Sequence, residues 1–126
     1  MADTHSLIWY LGSPARLGAG ACQAFAEAVI GKARIVIPVI VLAEIIFVVE
    51  RGRVRADVAQ ITARLRSLPF FRIVPLRLAT VLRLQTLTDI PEMHDRILVA
   101  ETLLRKASLI SRDETIARSG TVRTIW

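Results

Sequence analysis

Four carboxylates stand at points of the chain where a fold could bring them together. They are Asp3 near the start, Glu44 inside an apolar run, Asp95 within Met93-His94-Asp95-Arg96-Ile97-Leu98-Val99-Ala100, and Asp113 just after Ser108-Leu109-Ile110-Ser111-Arg112. Carboxylates crowded together repel one another unless a cation joins them. Hard ions such as Mg²⁺ or Mn²⁺ take oxygen ligands, and Mg²⁺ typically pairs a few carboxylates with water and substrate phosphates. Such a cluster suits phosphodiester hydrolysis: a divalent ion supplies an activated water and steadies charge on the phosphate, so no Ser or Cys nucleophile is needed. Arg96 and Arg112 adjoin two of the acids and are candidates for holding substrate phosphate.

Each acid also has a plainer role open to it. Asp3 and Asp113 precede helical segments and could simply cap them, because Asp accepts hydrogen bonds from unpaired amides at helix starts. Asp95 sits at the head of a helix, where a negative charge is also favoured. Glu44 is harder to dismiss. It lies among Val41, Leu42, Ala43, Ile45, Ile46 and Phe47, where an unpaired carboxylate would cost several kcal/mol or more. A metal ion or an Arg would offset that cost. His5 and His94 lack a second ligand at a metal-binding spacing and read as packing or hydrogen-bonding groups. His94 borders the proposed site and stays open as a substrate contact. Arg51, Arg53 and Arg55 read as a solvated turn at a helix end, and Trp9, Phe47, Phe70 and Phe71 as core or interface.

The elements that must position these groups alternate along the chain. Leu7 to Leu11 reads as a short helix stopped at Gly12-Ser13-Pro14, and Ala15 to Ile30 as a second, with Leu17, Ala21, Ala24, Phe25, Ala28 and Val29 at helical spacing. Arg34 to Ile37 is a β-branched strand, and Pro38 suits the first position of the helix that follows. A helix over Ala56 to Ser67, a strand over Phe71 to Val74 and a helix over Leu78 to Leu87 come next. The Asp95 helix then directs Ile97, Ala100, Leu103 and Leu104 toward a core. It is followed by a strand over Ser108 to Ser111, a short helix over Glu114 to Arg118 and a terminal strand over Val122 to Trp126. Buried-looking strands alternating with helices predict an α/β fold, an open parallel sheet with helices on both faces. Ligands in such sheets bind beyond the carboxyl ends of the strands, and this edge is where the four acids would converge.

Composition bounds the partners. The chain has 126 residues, enough for one domain with one core. It carries a net charge of +6, with fifteen Arg and only Lys32 and Lys106 among its seventeen basic residues. Arg binds phosphate through a planar fork and stacks on bases, so the excess leans toward nucleic acid or an acidic protein. An apolar content above that of ordinary domains reads as a partner surface. The longest apolar stretch, Ile35 to Val49, is broken by Pro38 and Glu44 and is too short to span a membrane. The start shows no signal peptide, and the lone Cys22, expected to pack in an Ala-rich helix, allows no internal disulfide. Together these imply a cytoplasmic setting.

The residues also carry a resemblance. Asp3-Thr4-His5-Ser6-Leu7-Ile8-Trp9, Ile37-Pro38 through Leu42-Ala43-Glu44-Ile45, Gly52-Arg53 and Pro75-Leu76 form its first half. Ile90-Pro91 through His94-Asp95-Arg96-Ile97-Leu98-Val99-Ala100, Leu109-Ile110-Ser111-Arg112-Asp113-Glu114, and Ser119-Gly120 to Ile125-Trp126 form the second. In this order they resemble the PIN-domain ribonucleases, most closely the VapC-type toxins of bacterial toxin–antitoxin pairs, over nearly the whole chain.

The resemblance implies a single PIN-like nuclease domain over residues 1–126, built on a five-stranded parallel sheet sandwiched by helices. Asp3, Glu44, Asp95 and Asp113 would be the catalytic acids holding Mg²⁺ or Mn²⁺, with the hydroxyls of Thr4 and Ser111 near the metal. It further implies endonucleolytic cleavage of RNA, with transfer or ribosomal RNA as frequent targets. A homodimer and a cognate antitoxin that lays a segment into the active-site groove are implied too. Members of that family usually carry a few apolar residues before the first Asp. Only Met1 and Ala2 precede Asp3 here, so a clipped central strand is expected. A non-catalytic PIN-like module that binds RNA or protein, its acids serving only as caps, stays open as the alternative. A phosphoacceptor signalling domain fits poorly, because it needs paired acids after the first strand and a Lys after the last.

Overall fold

The computed structural model describes residues 1–52, 54 and 56–126; Arg53 and Arg55, from the expected basic turn, lie outside the described residues. Helix α1 (Thr4–Gly12) starts where the Asp3 carboxylate accepts the Ser6 amide at 2.6 Å. A 3-10 turn at Pro14–Arg16 separates it from α2 (Ala19–Val29), which therefore begins later than the apolar spacing predicts. Glycine is required near that start. A Cβ on Gly18 would lie 2.6 Å from Trp126, and one on Gly20 would lie 2.8 Å from it, so only glycine lets the last residue pass this closely.

Strand β1 (Ile35–Pro38) leads directly into α3 (Val39–Glu50). Pro38 keeps an extended backbone (φ −62°, ψ 142°) and closes the strand instead of opening the helix. Helix α4 (Val58–Ser67) starts two residues after the expected Ala56, because Asp57 accepts the amides of Ala59 and Gln60 at 2.8 and 3.2 Å and so caps it. Next come β2 (Phe71–Val74) and α5 (Leu78–Arg83), which tightens into a 3-10 turn at Leu84–Thr86. Helix α6 (Met93–Leu104), β3 (Leu109–Ile110), α7 (Glu114–Ser119) and β4 (Thr124–Ile125) complete the order. Gly120, at φ 62°, closes α7 in the left-handed conformation that glycine adopts without penalty.

Among the described residues the strands form two parallel pairs, β1 with β2 from Ile35 opposite Phe71, and β3 with β4 from Leu109 opposite Thr124. The first three residues join the pairs. The Ala2 amide donates to the Val36 carbonyl at 3.1 Å on one side. On the other, the Ile110 amide donates to Met1 at 2.7 Å and the Asp3 amide to Ile110 at 3.1 Å. The parallel array thus runs β2, β1, Met1–Asp3, β3, β4. The expected fifth, central strand is reduced to a single bridge between Ala2 and Ile110. It ends at Asp3.

Alternate strand residues feed two cores. Ile35, Ile37 and Ile110 pack with Leu7, Phe25, Val41, Ile45 and Leu65 on one face. Val36 and Leu109 pack with Leu87, Ile90, Val99 and Ile116 on the other. This period-two split is what puts helices on both faces. Three expectations are corrected here. Cys22 and Val29 are exposed, since Ala21, Phe25 and Ala28 already define the buried side of α2. Helix α6 is not amphipathic in the simple sense: Ile97 through Thr102 are all buried, whereas Leu104 is exposed. Burial all round α6 encloses Glu101, whose carboxylate accepts from the Thr80 hydroxyl and from Arg105 Nε at 2.9 Å. Among the described residues no helix is long and apolar enough to cross a membrane.

Candidate active site

The short central segment delivers Asp3 to the carboxyl edge of the array, and three other elements bring side chains to that edge. A cavity of about 520 Å³ opens there. The start of α1 contributes Asp3, Thr4 and His5, and α3 contributes Glu44, Phe47 and Val48, with Arg51 at its C-terminal cap. Helix α6 contributes His94, Asp95 and Leu98, and the turn after β3 contributes Ser111 and Asp113. All four sequence-selected acids therefore line one space.

Asp3 and Asp113 are also the caps of α1 and α7: Asp113 Oδ1 accepts the Ile116 amide at 2.9 Å, as Asp3 Oδ1 accepts that of Ser6. Capping does not use up a carboxylate, which has two oxygens and about four lone-pair sites. The caps fix these two acids in place. Ser6 adds a second tie, its hydroxyl sharing the carbonyls of Asp3 and Ile110 at 3.1 Å each. Ser111 is buried, and its Oγ accepts the Asp113 amide at 3.0 Å, setting the turn that carries the acid.

Glu44 is only half-buried, its side chain 23% exposed, because its flank of α3 faces the cavity. Neither an Arg nor full burial accounts for it. Its Oε2 accepts from the Thr4 hydroxyl, and its Oε1 stands 3.4 Å from His94 Nδ1. Asp95 sits half-buried one residue further on. Desolvation pushes its carboxyl up to about 6, with the charges of Asp113, Glu44, Glu92 and Asp3 adding to the effect in that order. Asp95 is thus the acid that feels the other three.

The donor set suits a hard divalent cation: four carboxylates and two hydroxyls, all oxygen, line one cavity whose remaining lining includes the apolar Phe47, Val48 and Leu98. Among the described residues no three His, Cys, Asp or Glu side chains form a compact coordination group. Like charges held around a cavity keep such a separation until a cation offsets their repulsion.

Arg96 and Arg112 are placed elsewhere. Arg96 Nε donates to the Ile90 carbonyl and Nη2 reaches that of Thr88 at 3.5 Å, bracing the turn before α6. Arg112 lies over the Trp9 ring, 4.5 Å from its centroid, and Arg16 lies 4.6 Å from the same centroid. Arg51, assigned to a solvated turn by its sequence context, lines the cavity instead. Phe47, expected in a core or interface, is 58% exposed on the same wall. The signal that finds both is the spacing from Glu44: residues 44, 47, 48 and 51 share one helical face.

The PIN domain family matches residues 1–121. The chain belongs to the PIN domain family. Comparison with curated proteins gives no match. Among solved structures, the PIN domain is similar to a toxin–antitoxin complex from Klebsiella pneumoniae. They are 20% identical, with a TM-score of 0.65 over 96% of this chain and 92% of that one. It is also similar to VapBC2 from Rickettsia felis bound to a DNA fragment from their promoter, 14% identical, with a TM-score of 0.69 over 98% and 95% of the two chains. These likenesses give the fold of this PIN domain, an α/β array of parallel strands between helices.

Proposed function

We propose that this PIN domain, a single domain over residues 1–126, is a divalent-metal-dependent endoribonuclease acting as the toxin of a toxin–antitoxin pair. The observation that carries the reading is that Asp3, Glu44, Asp95 and Asp113, from four separate elements, line one cavity. These four would hold Mg²⁺ or Mn²⁺. When bound, the ion supplies an activated water and neutralises charge building on the phosphate. The chain's own part is positional. Caps at Asp3 and Asp113 hold two carboxylates on rigid helix starts, Thr4 and His94 aim Glu44, and Ser111 sets the Asp113 turn.

The toxin assignment is supported by the two similar structures, one described as a toxin–antitoxin complex and the other as VapBC2 bound to a DNA fragment from their promoter. A partner protein is also supported by a groove of about 710 Å³ between α1, α3 and α4, where apolar Ile8, Trp9 and Ile61 stand beside polar Arg16, Asp57 and Arg64. The reading includes a cognate antitoxin, a homodimer, a cytoplasmic location and an RNA substrate, with transfer or ribosomal RNA as the first targets to test. The capping bonds of Asp3 and Asp113 favour one second reading, a non-catalytic PIN module that binds RNA or protein.

Incubating antitoxin-free protein with total RNA and mapping new ends separates the two. The toxin reading expects site-specific cuts that need Mg²⁺ or Mn²⁺, stop with EDTA and vanish in Asp95→Asn. Binding without cutting, equal in both proteins, supports the module.

A further inference from the structure

The cavity wall made by α3 is chemically graded. Glu44, Phe47, Val48 and Arg51 fall at i, i+3, i+4 and i+7, and all four line the cavity. From Glu44 to Arg51 the helix rises about 10 Å at 1.5 Å per residue. At one end stands the carboxylate assigned to the metal, and at the other a guanidinium. Between them is a phenyl ring 58% exposed to solvent. Among the described residues Arg51 is the only Lys or Arg lining this cavity. An exposed aromatic a helical turn from a cation, on the wall of the cavity assigned to phosphate chemistry, is what an unpaired nucleotide requires: a flat surface for its base and a charge for its phosphate.

We infer that this face of α3 is a substrate-positioning strip that takes one unpaired nucleotide beside the phosphodiester to be cut, its base on Phe47 and its phosphate at Arg51. The inference rests on the nuclease reading and adds the two side chains, Phe47 and Arg51, that position the substrate. One bare ring and one guanidinium a helical turn apart match one base and its phosphate, and the base covers the ring that the fold leaves bare. A duplex could not use the strip, because its bases stay stacked on each other and present no free face to Phe47.

The test measures fluorescence anisotropy of a labelled single-stranded oligoribonucleotide and of a duplex of equal length. The protein carries Asp95→Asn so that the probe survives. Adding Phe47→Ala is expected to weaken single-strand binding about tenfold and leave duplex binding unchanged, while Phe47→Trp restores it. Arg51→Ala is expected to weaken binding and lower its salt dependence by about one phosphate contact, with Arg51→Lys intermediate. In the cleavage assay with Asp95 intact, both alanine variants should raise KM more than they lower kcat.

Unchanged single-strand binding in both variants overturns the proposal. So does a Phe47→Ala variant that changes only the oligomeric state, which would make the ring a protein contact. Mg²⁺ titration of the protein with Asp95 intact keeps the two readings apart. Absent metal binding with RNA binding still lost in the α3 variants sinks the nuclease and leaves the strip. Normal metal binding with RNA binding untouched does the reverse.

Discussion

The Thr4 hydroxyl donates a hydrogen bond to Glu44 Oε2, tying the first turn of α1 to the middle of α3 across forty residues of chain. Thr4 is buried and Glu44 faces the cavity, so the bond fixes a carboxylate that would otherwise swing on three rotatable bonds. Thr4→Val keeps the shape and removes the donor. It is expected to cost about 1 kcal/mol of stability in urea melts. The same variant should weaken Mn²⁺ binding about tenfold, as loss of a group that orients a ligand does. Full metal affinity in Thr4→Val would show that Glu44 needs no such tie.

Asp95 carries a charge that the metal-free fold resists. Its folded pKa, about 6, lies above the usual carboxylate value of 3.8, so between those values the folded state holds more protons than the unfolded. The contribution of this group to stability is therefore present below about pH 4 and declines as pH rises toward 6. Asp95→Asn removes the charge, and the metal-free variant should melt a few degrees higher than the parent at pH 7 while losing metal binding. An equal or lower melting temperature would count against repulsion among the acids.

Metal uptake has its own pH signature. An ion entering the cavity must displace the proton that Asp95 retains up to about pH 6, so apparent affinity should rise with pH through that value and level off above it. Calorimetry at pH 5.5 in two buffers of different ionisation enthalpy should report proton release, and at pH 7.5 little or none. Affinity independent of pH from 5 to 7 would detach Asp95 from the site.

Glu101 is a stability residue. It is 2% exposed, holds α5 to α6 through Thr80, itself wholly buried, and accepts from Arg105 at the end of its own helix at 2.9 Å. Glu101→Ala leaves a buried hydroxyl and a guanidinium without their acceptor and is expected to cost about 3 kcal/mol by denaturant unfolding. Glu101→Gln, which keeps an acceptor, should cost less.

The sequence made the acids legible because each stands at an element boundary: Asp3 and Asp113 before helices, Asp95 in a first turn, Glu44 breaking an apolar run. The alternation of strands and helices was equally readable, since Ile35 and Ile37 pack on one face while Val36 serves the other. What could not be read was how far each long side chain reaches. Arg96 and Arg112 neighbour two acids in sequence, yet one braces the carbonyls of Ile90 and Thr88 and the other lies on Trp9. Arg51 looked like an ordinary helix end, and only the turn-by-turn register from Glu44 brings it to the cavity. Glu44 reads as buried from its neighbours because an apolar run hides which flank faces the cavity.

The central claim is that the four acids bind one divalent site, and Mn²⁺ titration of the metal-free protein by calorimetry tests it most directly. The account predicts saturable binding in the parent protein that falls at least tenfold in each of Asp3→Asn, Glu44→Gln, Asp95→Asn and Asp113→Asn, with all four variants folded. Saturable binding that all four changes leave intact, or no binding by the parent above pH 7, would contradict it.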